Sequence, residues 1–402
     1  MNLYEGDTLE LNVESEWSIA PNSFDVVLGN PPYNKGNIRA AQKNQSGMKS
    51  ETIWNRFVDN TFKLWLKPDG FLVFINPLSW LKKSHVLHNT FLEKRIIWLK
   101  LWDYIRSLSK INGKIPISLY VLQNSPNNNR KTEIVSEIQS RRFYTTSTEY
   151  LNPKYSIPLA FHSIFNKLAN FIESQNLQLD YKTKTVKSTG VKTKIPAEYA
   201  LEDMLAIDTF TIKDGVLVKP VTEHHPDANK RKLIISNKAS FTGAFIDECR
   251  LSLTGNHKFY ILGENLELIE KMLRFKIMDI ISHCCKYAQE YLENDAFHYI
   301  PDIRKLGLMD IGEDEFYTLI GLTPREIVQI KTPALAETMA DEPVDPIPET
   351  VAPITPSLLP SHPHSPSPST VEPIQLTITA IPATTSPKKT KPKRKLVIVD
   401  NV

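Results

Sequence analysis

Only three cysteines, Cys249 and the adjacent Cys284 and Cys285, occur in 402 residues. They are too few and too clustered for a disulfide framework, and no CxxC spacing suggests zinc; they read as reduced core thiols, and no metal site is expected. Long apolar runs are missing too. No stretch reaches the roughly 18 residues that a membrane-spanning helix requires. The opening MNLYEGDTLE is acidic and polar, where a secretory leader would be basic and then apolar, so the expectation is an intracellular chain (cytoplasm or nucleoid) with no membrane partner. A dominant charge is also lacking: 48 Lys and Arg face 45 Asp and Glu, for a net +3. That balance permits a nucleic-acid partner without arguing for one, so local clusters carry the weight.

Glycine is scarce, and its distribution divides the chain. From Lys331 onward there is none, while half of all the prolines fall there, in stretches such as SLLPSHPHSPSPSTVEPIQ. No helical or strand period survives in such sequence, and it offers too little apolar surface to offset chain entropy. Residues 331–402 are therefore expected to form a disordered Pro/Ser/Thr-rich tail ending in the basic cluster PKKTKPKRK (Pro387 to Lys395). Such a cluster can be a nuclear-import signal, which would place the chain in a host nucleus, a phosphate-binding arm, or a solubilising end.

What the chain does have is an α/β pattern in its first 125 residues. FDVVLG (Phe24 to Gly29) is a nearly continuous apolar run, as in a strand buried on both faces of a parallel sheet. In SETIWNRFVDNTFKLWL the residues Ile53, Trp54, Phe57, Val58, Phe62, Trp65 and Leu66 recur at helical spacing, and the helix should end at KPDG. GFLVFINP (Gly70 to Pro77) reads as a second buried strand, HNTFLEKRIIW as another helix, and PISLYVLQ (Pro116 to Gln123) as another strand. This order predicts a doubly wound sheet with ligand sites at the carboxyl ends of its strands.

One motif sits at such an end: Asn30-Pro31-Pro32-Tyr33, directly after FDVVLG. An amine on a conjugated base is a poor nucleophile because its lone pair is delocalised into the ring. A site that accepts both amine hydrogens draws the nitrogen toward a tetrahedral state and frees that pair for in-line attack on a methylsulfonium. Asn30 can supply one acceptor through its side-chain carbonyl, and Pro31 a second through its backbone carbonyl, held rigid because the second proline restricts the first. Tyr33 offers a flat face for a base rotated out of a duplex. The plainer alternative is a proline-stiffened turn with Tyr33 packed in the core.

GNPPYNKG after FDVV resembles the catalytic motif of the amino-methyltransferases, and more closely that of adenine-N6-specific DNA methyltransferases of restriction-modification systems. The likeness extends from about residue 3 to 125. Gly6-Asp7-Thr8-Leu9 resembles the short motif before the catalytic strand; on that likeness Asp7 accepts from the adenine amine of S-adenosylmethionine, and Asp7 and Asn30 form the cofactor side. LKPDGFLVFINPLSWL (Leu66 to Leu81) and IPISLYVL (Ile115 to Leu122) resemble later sheet motifs. Some members carry a second aromatic just before the last motif; SKINGKIP has Asn112 near that place.

Family members also carry a glycine-rich loop after the first strand and an acid after the second, and this chain starts after both. The only suggestive pieces elsewhere, STGVKTK and FTGAF, each hold a single glycine. The resemblance thus implies an incomplete Rossmann-like methyltransferase sheet over residues 1–130. An N-terminal methyltransferase half on a separate chain, or a truncated start, would account for the rest. Without the missing strands the FDVVLG edge is expected to be unpaired and hydrophobic, a liability for a monomer.

Residues 131–330 are then expected to form a mixed α+β target-recognition domain. AIDTFTIKDGVLVKP and RKLIISNKASFTGAFIDECRLSLTGNHKFYIL alternate like half-buried strands, and ENLELIEKMLRFKIMDIISHCCKYAQEYL reads as a long amphipathic helix or a helix pair. Two basic clusters, Lys182, Lys184, Lys187, Lys192 and Lys194, then Lys230, Arg231 and Lys232, could neutralise phosphates of double-stranded DNA or could equally be solvated faces. Asn256 and Lys258, in TGNHKFY, are candidates for base edges. His283 reads as a helix residue.

Three functions remain open at this stage. The first is S-adenosylmethionine-dependent adenine-N6 methylation of duplex DNA, with a restriction endonuclease as a further partner. The second keeps the chemistry on RNA or on protein glutamine, whose enzymes carry similar motifs. The third is a non-catalytic DNA-binding fragment or specificity subunit.

Overall fold

A computed structural model of the chain describes residues 4–34, 52–103, 116–138, 143–196, 198, 200–211, 215–236, 241–255, 258–287, 292–332 and 397–399. Strand β1 (Phe24–Gly29) opens the main sheet. Helix α1 (Val13–Trp17) precedes it, and the return to the sheet runs through α2 (Trp54–Asn60), which continues as one wider, π-type turn over Thr61–Trp65. Trp54, Phe57, Val58, Thr61 and Trp65 form its buried stripe. At the change of pitch the Thr61 hydroxyl donates to the Phe57 carbonyl (2.8 Å), a side-chain bond four residues back that competes with the helical ladder.

The chain then enters β2 (Leu66–Pro77), whose inward side chains Leu72, Phe74 and Asn76 alternate with half-buried ones. Gly70 lets β2 come close to β1. A Cβ there would lie 2.8 Å from Leu66 Cδ1 and 3.0 Å from the Asp25 carbonyl.

Helix α3 (His88–Glu93) is followed by β3 (Lys94–Trp102), β4 (Ile117–Pro126), β5 (Thr132–Ile138) and β6 (Phe143–Glu149). The expected helix HNTFLEKRIIW therefore stops at Glu93, and Arg95–Trp98 are strand residues. The paired isoleucines and the tryptophan suit a pleated surface, and Ile96, Leu99 and Leu101 bury their side chains from β3.

In the sheet, β1, β2, β4, β3, β5 and β6 are neighbours in that order. Strands β1, β2, β3 and β5 run parallel, while β4 is wedged antiparallel between β2 and β3, and β6 is antiparallel to β5. The sheet continues to Glu149, past the boundary expected at residue 130. The outer edge of β1 is paired as well. Val26, Val27 and Leu28 face Val399, Ile398 and Val397 in an antiparallel ladder, so the expected open edge is closed by the end of the chain and that stretch of the tail is a strand. Residues 333–396 of the expected tail lie outside the described residues.

Beyond the sheet come α4 (His162–Ser174), β7 (Thr193–Lys194), β8 (Leu205–Thr211), β9 (Gly215–Pro220), β10 (Arg231–Ser236), β11 (Phe245–Glu248), β12 (Ser252–Leu253) and β13 (Lys258–Leu262). They build a sheet ordered β11-β10-β13 and another ordered β12-β8-β9-β7. The expected long helix is a pair, α5 (Leu266–Met272) and α6 (Lys276–Cys284), followed by α7 (Glu313–Leu319) and α8 (Pro324–Lys331). One apolar core runs from Val27, Phe74 and Leu99 of the main sheet to Phe165 of α4, Ile281 of α6 and Phe297. No helix of the described residues is long and apolar enough to cross a membrane.

Helix α8 is tied to α4 through Glu326. Its carboxylate caps Thr323 and accepts from Lys167 Nζ (2.6 Å) and Ser163 Oγ (2.6 Å). Burial works to raise its pKa, but the bonds from Lys167, Ser163 and Thr323 outweigh that and bring it down to about 2. A depressed carboxylate contributes stability that is complete above its ordinary unfolded range and is lost as pH falls toward the folded value. Glu326→Gln should therefore lower stability at pH 7 and flatten the acid limb between about pH 4.5 and pH 2, as read from urea midpoints across that window.

Candidate functional site

All four parallel strands end at one side of the main sheet, where β4 begins. Asn30 emerges there, exposed, directly past Gly29; Pro31 is buried and Tyr33 is half-buried against the core. The Tyr33 carbonyl accepts from Ile53 N (3.1 Å), and Asn34 bridges to Thr52, so the turn is fastened to the start of α2. Gly29, the last residue of β1, pairs with Phe74, two residues before Asn76 on β2.

Beneath this turn lies a buried polar chain. Asn76 Nδ2 donates to the Tyr120 hydroxyl (2.6 Å), Trp80 Nε1 donates to Ser118 Oγ (2.8 Å), and Ser118 Oγ donates to the Asn76 carbonyl (3.3 Å). Asn76 Oδ1 is buried with no hydrogen-bond partner among the described residues. Burial drives the Tyr120 hydroxyl well above its ordinary pKa; the Asn76 bond opposes this and the nearby Tyr33 adds to it, so Tyr120 is a neutral phenol. Sequence reasoning missed this chain; its signal was an asparagine and a serine at inward positions of otherwise apolar strands.

Asp7 does not end a strand. It is exposed, and its carboxylate accepts from Leu9 N (3.0 Å), capping a short turn over Thr8–Glu10. Asn60 Nδ2 holds that turn to α2 through the Leu9 carbonyl (3.1 Å).

The basic candidates separate into three kinds. Lys232 is wholly buried; its ammonium meets Asp247 (2.5 Å) and the carbonyls of Ala228 (3.0 Å) and Lys230 (3.1 Å). Lys258 is buried too and donates to the Thr254 carbonyl. Both of these candidates for DNA contact are thus buried, with their ammonium groups bonded inside the protein. Lys182, Lys230 and Arg231 are partly exposed but engaged. Asp227 takes Lys230 (2.7 Å) and Lys182 (3.4 Å), while Glu248 and Glu267 flank Arg231.

Lys184, Lys187, Lys192 and Lys194 are exposed and have no acidic partner among the described residues. They lie on a strap stitched to its neighbours by backbone bonds. Lys182 pairs with Tyr260, Val186 with Thr254, Ser188 with Val221, and Thr193–Lys194 with β9. Docking the backbone at intervals leaves these lysines outward. Asn256 and Asn112 lie outside the described residues.

Next to the strap is a cleft of about 640 Å³ walled by Tyr181, Lys182, Lys184, Asp227, Tyr260 and Asn294. At its base Tyr260 donates to Asp227 (2.9 Å) and lies 3.4 Å from His225 Nε2. Burial opposes ionisation of Asp227, yet Lys230, Tyr260 and Lys182 prevail and hold its pKa at about 2. The His225 ring is held below its ordinary pKa, chiefly by burial. No cue in the sequence joined Asp227 to Tyr260.

Residues 4–107 match the family described as Eco57I restriction-modification methylase. No curated protein matches the chain. Among solved structures, the type IIL restriction-modification enzyme MmeI in complex with DNA overlaps with a TM-score of 0.39 at 9% identity, over 72% of this chain and 47% of that one. The type IIG restriction endonuclease BpuSI gives 0.30 at 14%, over 78% and 50%. A type I methyltransferase subunit from Streptococcus thermophilus gives 0.23 at 21%, over 37% and 32%. The chain thus spans half or less of the length of each, and overlaps of this size carry no argument about function.

The sorting of the lysines is testable. Lys232→Met should cost about 3 to 5 kcal/mol, because it leaves the Asp247 carboxylate buried and unpaired. Lys184→Met should stay within about 0.5 kcal/mol, as a surface change does. Urea unfolding of the two variants against the parent measures the contrast.

Proposed function

We propose that the chain provides the base-binding side and the target-recognition side of an S-adenosylmethionine-dependent adenine-N6 DNA methyltransferase of restriction-modification type. The observation that carries this reading is the Asn30-Pro31-Pro32-Tyr33 turn at the carboxyl end of β1, within the segment that matches the Eco57I restriction-modification methylase. Asn30 and the Pro31 carbonyl accept the two hydrogens of the adenine amine, and Tyr33 stacks on the base once it has left the duplex. The buried chain under the turn keeps its floor from yielding. When bound, S-adenosylmethionine supplies an electrophilic methyl group. Asp7 and Asn30 are the residues of this chain on its side, and they make only part of a cradle. A glycine-rich turn for the methionine moiety has to come from outside the described residues, on this chain or on a partner chain.

DNA is met, in this reading, by the strap lysines Lys184, Lys187, Lys192 and Lys194, which are outward and have no acidic partner among the described residues. Phosphate contacts of this kind fix position without reading sequence. A restriction endonuclease partner is consistent with the system type.

The test is N6-methyladenine in the DNA of a host expressing the full chain together with any upstream coding sequence. Asn30→Ala should reduce it by at least about 100-fold with duplex affinity nearly kept, since the lost acceptor matters most as the nitrogen becomes tetrahedral. Tyr33→Ala should weaken capture of an extruded base by about 1 to 3 kcal/mol, read with a fluorescent base analogue at the target position. Methyl label appearing in RNA or protein instead of DNA, or an Asn30→Ala protein of normal activity, would refute the assignment.

A further inference from the structure

The loop after β2 leaves the sheet at Pro77, beside the end of β1, and turns through residues 82–87, with Val86 70% exposed at its tip. Two contacts fix this turn to its surroundings. Lys83 N donates to Ser156 Oγ (2.8 Å), which in turn bonds the buried carboxylate of Asp295, and Lys82 Nζ pairs with Glu293 (2.6 Å). A third links it to the motif. The His85 ring stacks on Trp54, with centroids 5.3 Å apart and planes 12° apart, and Trp54 adjoins Ile53, whose amide bonds the Tyr33 carbonyl.

Within that frame the donors are specified. His85 Nδ1 accepts from Leu87 N (3.2 Å), so the ring proton resides on Nε2. Nε2 has no partner among the described residues. Burial, aided by His88 and Lys82, pushes the His85 pKa down to about 4, so the ring is a neutral N–H donor in neutral solution. Lys83 is exposed and has no acidic partner among the described residues. A fixed backbone thus presents a cation and a neutral N–H donor two residues apart, beside the proposed base-binding turn.

We propose that Lys83 and His85 grip a phosphodiester of the substrate strand next to the extruded nucleotide. Lys83 supplies the charge and His85 Nε2 a directed hydrogen bond, a pairing that suits a phosphate better than a base edge because a point charge carries no base information. Turning a base out swings its backbone, and a grip on the neighbouring phosphate would hold the rotated form. The inference rests on the DNA-methylation reading above and adds residues from outside its motif.

The experiment uses the full chain, duplex DNA titrated over a range of salt, and N6-methyladenine in host DNA. Lys83→Gln should make the slope of log affinity against log salt shallower by about 0.9, the share of one phosphate. His85→Phe, which keeps a ring on Trp54 but removes the donor, should lower methylation about tenfold. His85→Gln, which restores an N–H near the Nε2 position, should recover most of it, a rescue that loss of packing alone would not show. Unchanged salt slope for Lys83→Gln, or equal activity for His85→Phe and the parent, overturns the grip. Asn30→Ala run in parallel separates the failures. If it is inactive while His85→Phe is normal, only this inference falls; if it is active, or if the chain does not bind duplex DNA, the underlying reading falls and this inference with it.

Discussion

The parallel pairing of β1 with β2 is the constraint from which the rest of the site follows. Their register places Gly29 against Phe74, and the Asn30–Tyr33 turn therefore emerges beside Asn76 and the loop after β2. That closeness depends on Gly70, where any side chain would press on Leu66 and the Asp25 carbonyl. A slip of one residue would turn Phe74 and Asn76 to the opposite face and dissolve the Asn76–Tyr120 bond. Because interiors pack at crystal-like density, the turn cannot shift without moving this chain of buried groups. A rigid acceptor pair is what the proposed chemistry needs, since donors and acceptors that must reorganise lose much of their effect.

Burial also sorts the charges. The chain is rich in lysine, yet its cations do different work according to what faces them. Lys232 lies at full burial with Asp247 and two carbonyls around it, and it ties β10 to β11 and to the turn before β10. Lys182 and Lys230 share Asp227, which is itself anchored by Tyr260. Along the strap, where the backbone is stitched down at intervals, the ammonium groups of Lys184, Lys187, Lys192 and Lys194 stand outward without acidic partners among the described residues. The surface offered to an anion is thus narrower than the count of basic residues suggests, and net charge says nothing about it.

The loop from Pro77 to Leu87 joins the motif to the second half of the chain. Through Trp54 it touches the motif's return segment, and through Ser156 and Glu293 it touches segments far along the sequence. The shared core running from Val27 to Phe297 makes the same point in apolar terms: the sheet and the elements after residue 150 contribute side chains to one buried cluster.

Much of this was legible in the residues alone. FDVVLG, GFLVFINP and PISLYVLQ declared themselves as strands by apolar runs of the right length, and the asparagine-proline-proline-tyrosine turn followed from proline's fixed φ at a strand end. What composition and period could not reveal was pairing. KRIIWLKLW became a strand because neighbours on both sides accepted it, and PISLYVLQ ran antiparallel because β3 was waiting beyond it. The edge of β1 was closed by residues more than 350 positions away in sequence, a distance no local pattern spans. Local sequence determined the elements and the chemistry of the turn, because backbone sterics and side-chain period act over a few residues. Tertiary structure decided which lysines are buried, which histidine proton is free and which loop stands beside the motif, because burial and hydrogen-bond partners belong to the packed molecule as a whole.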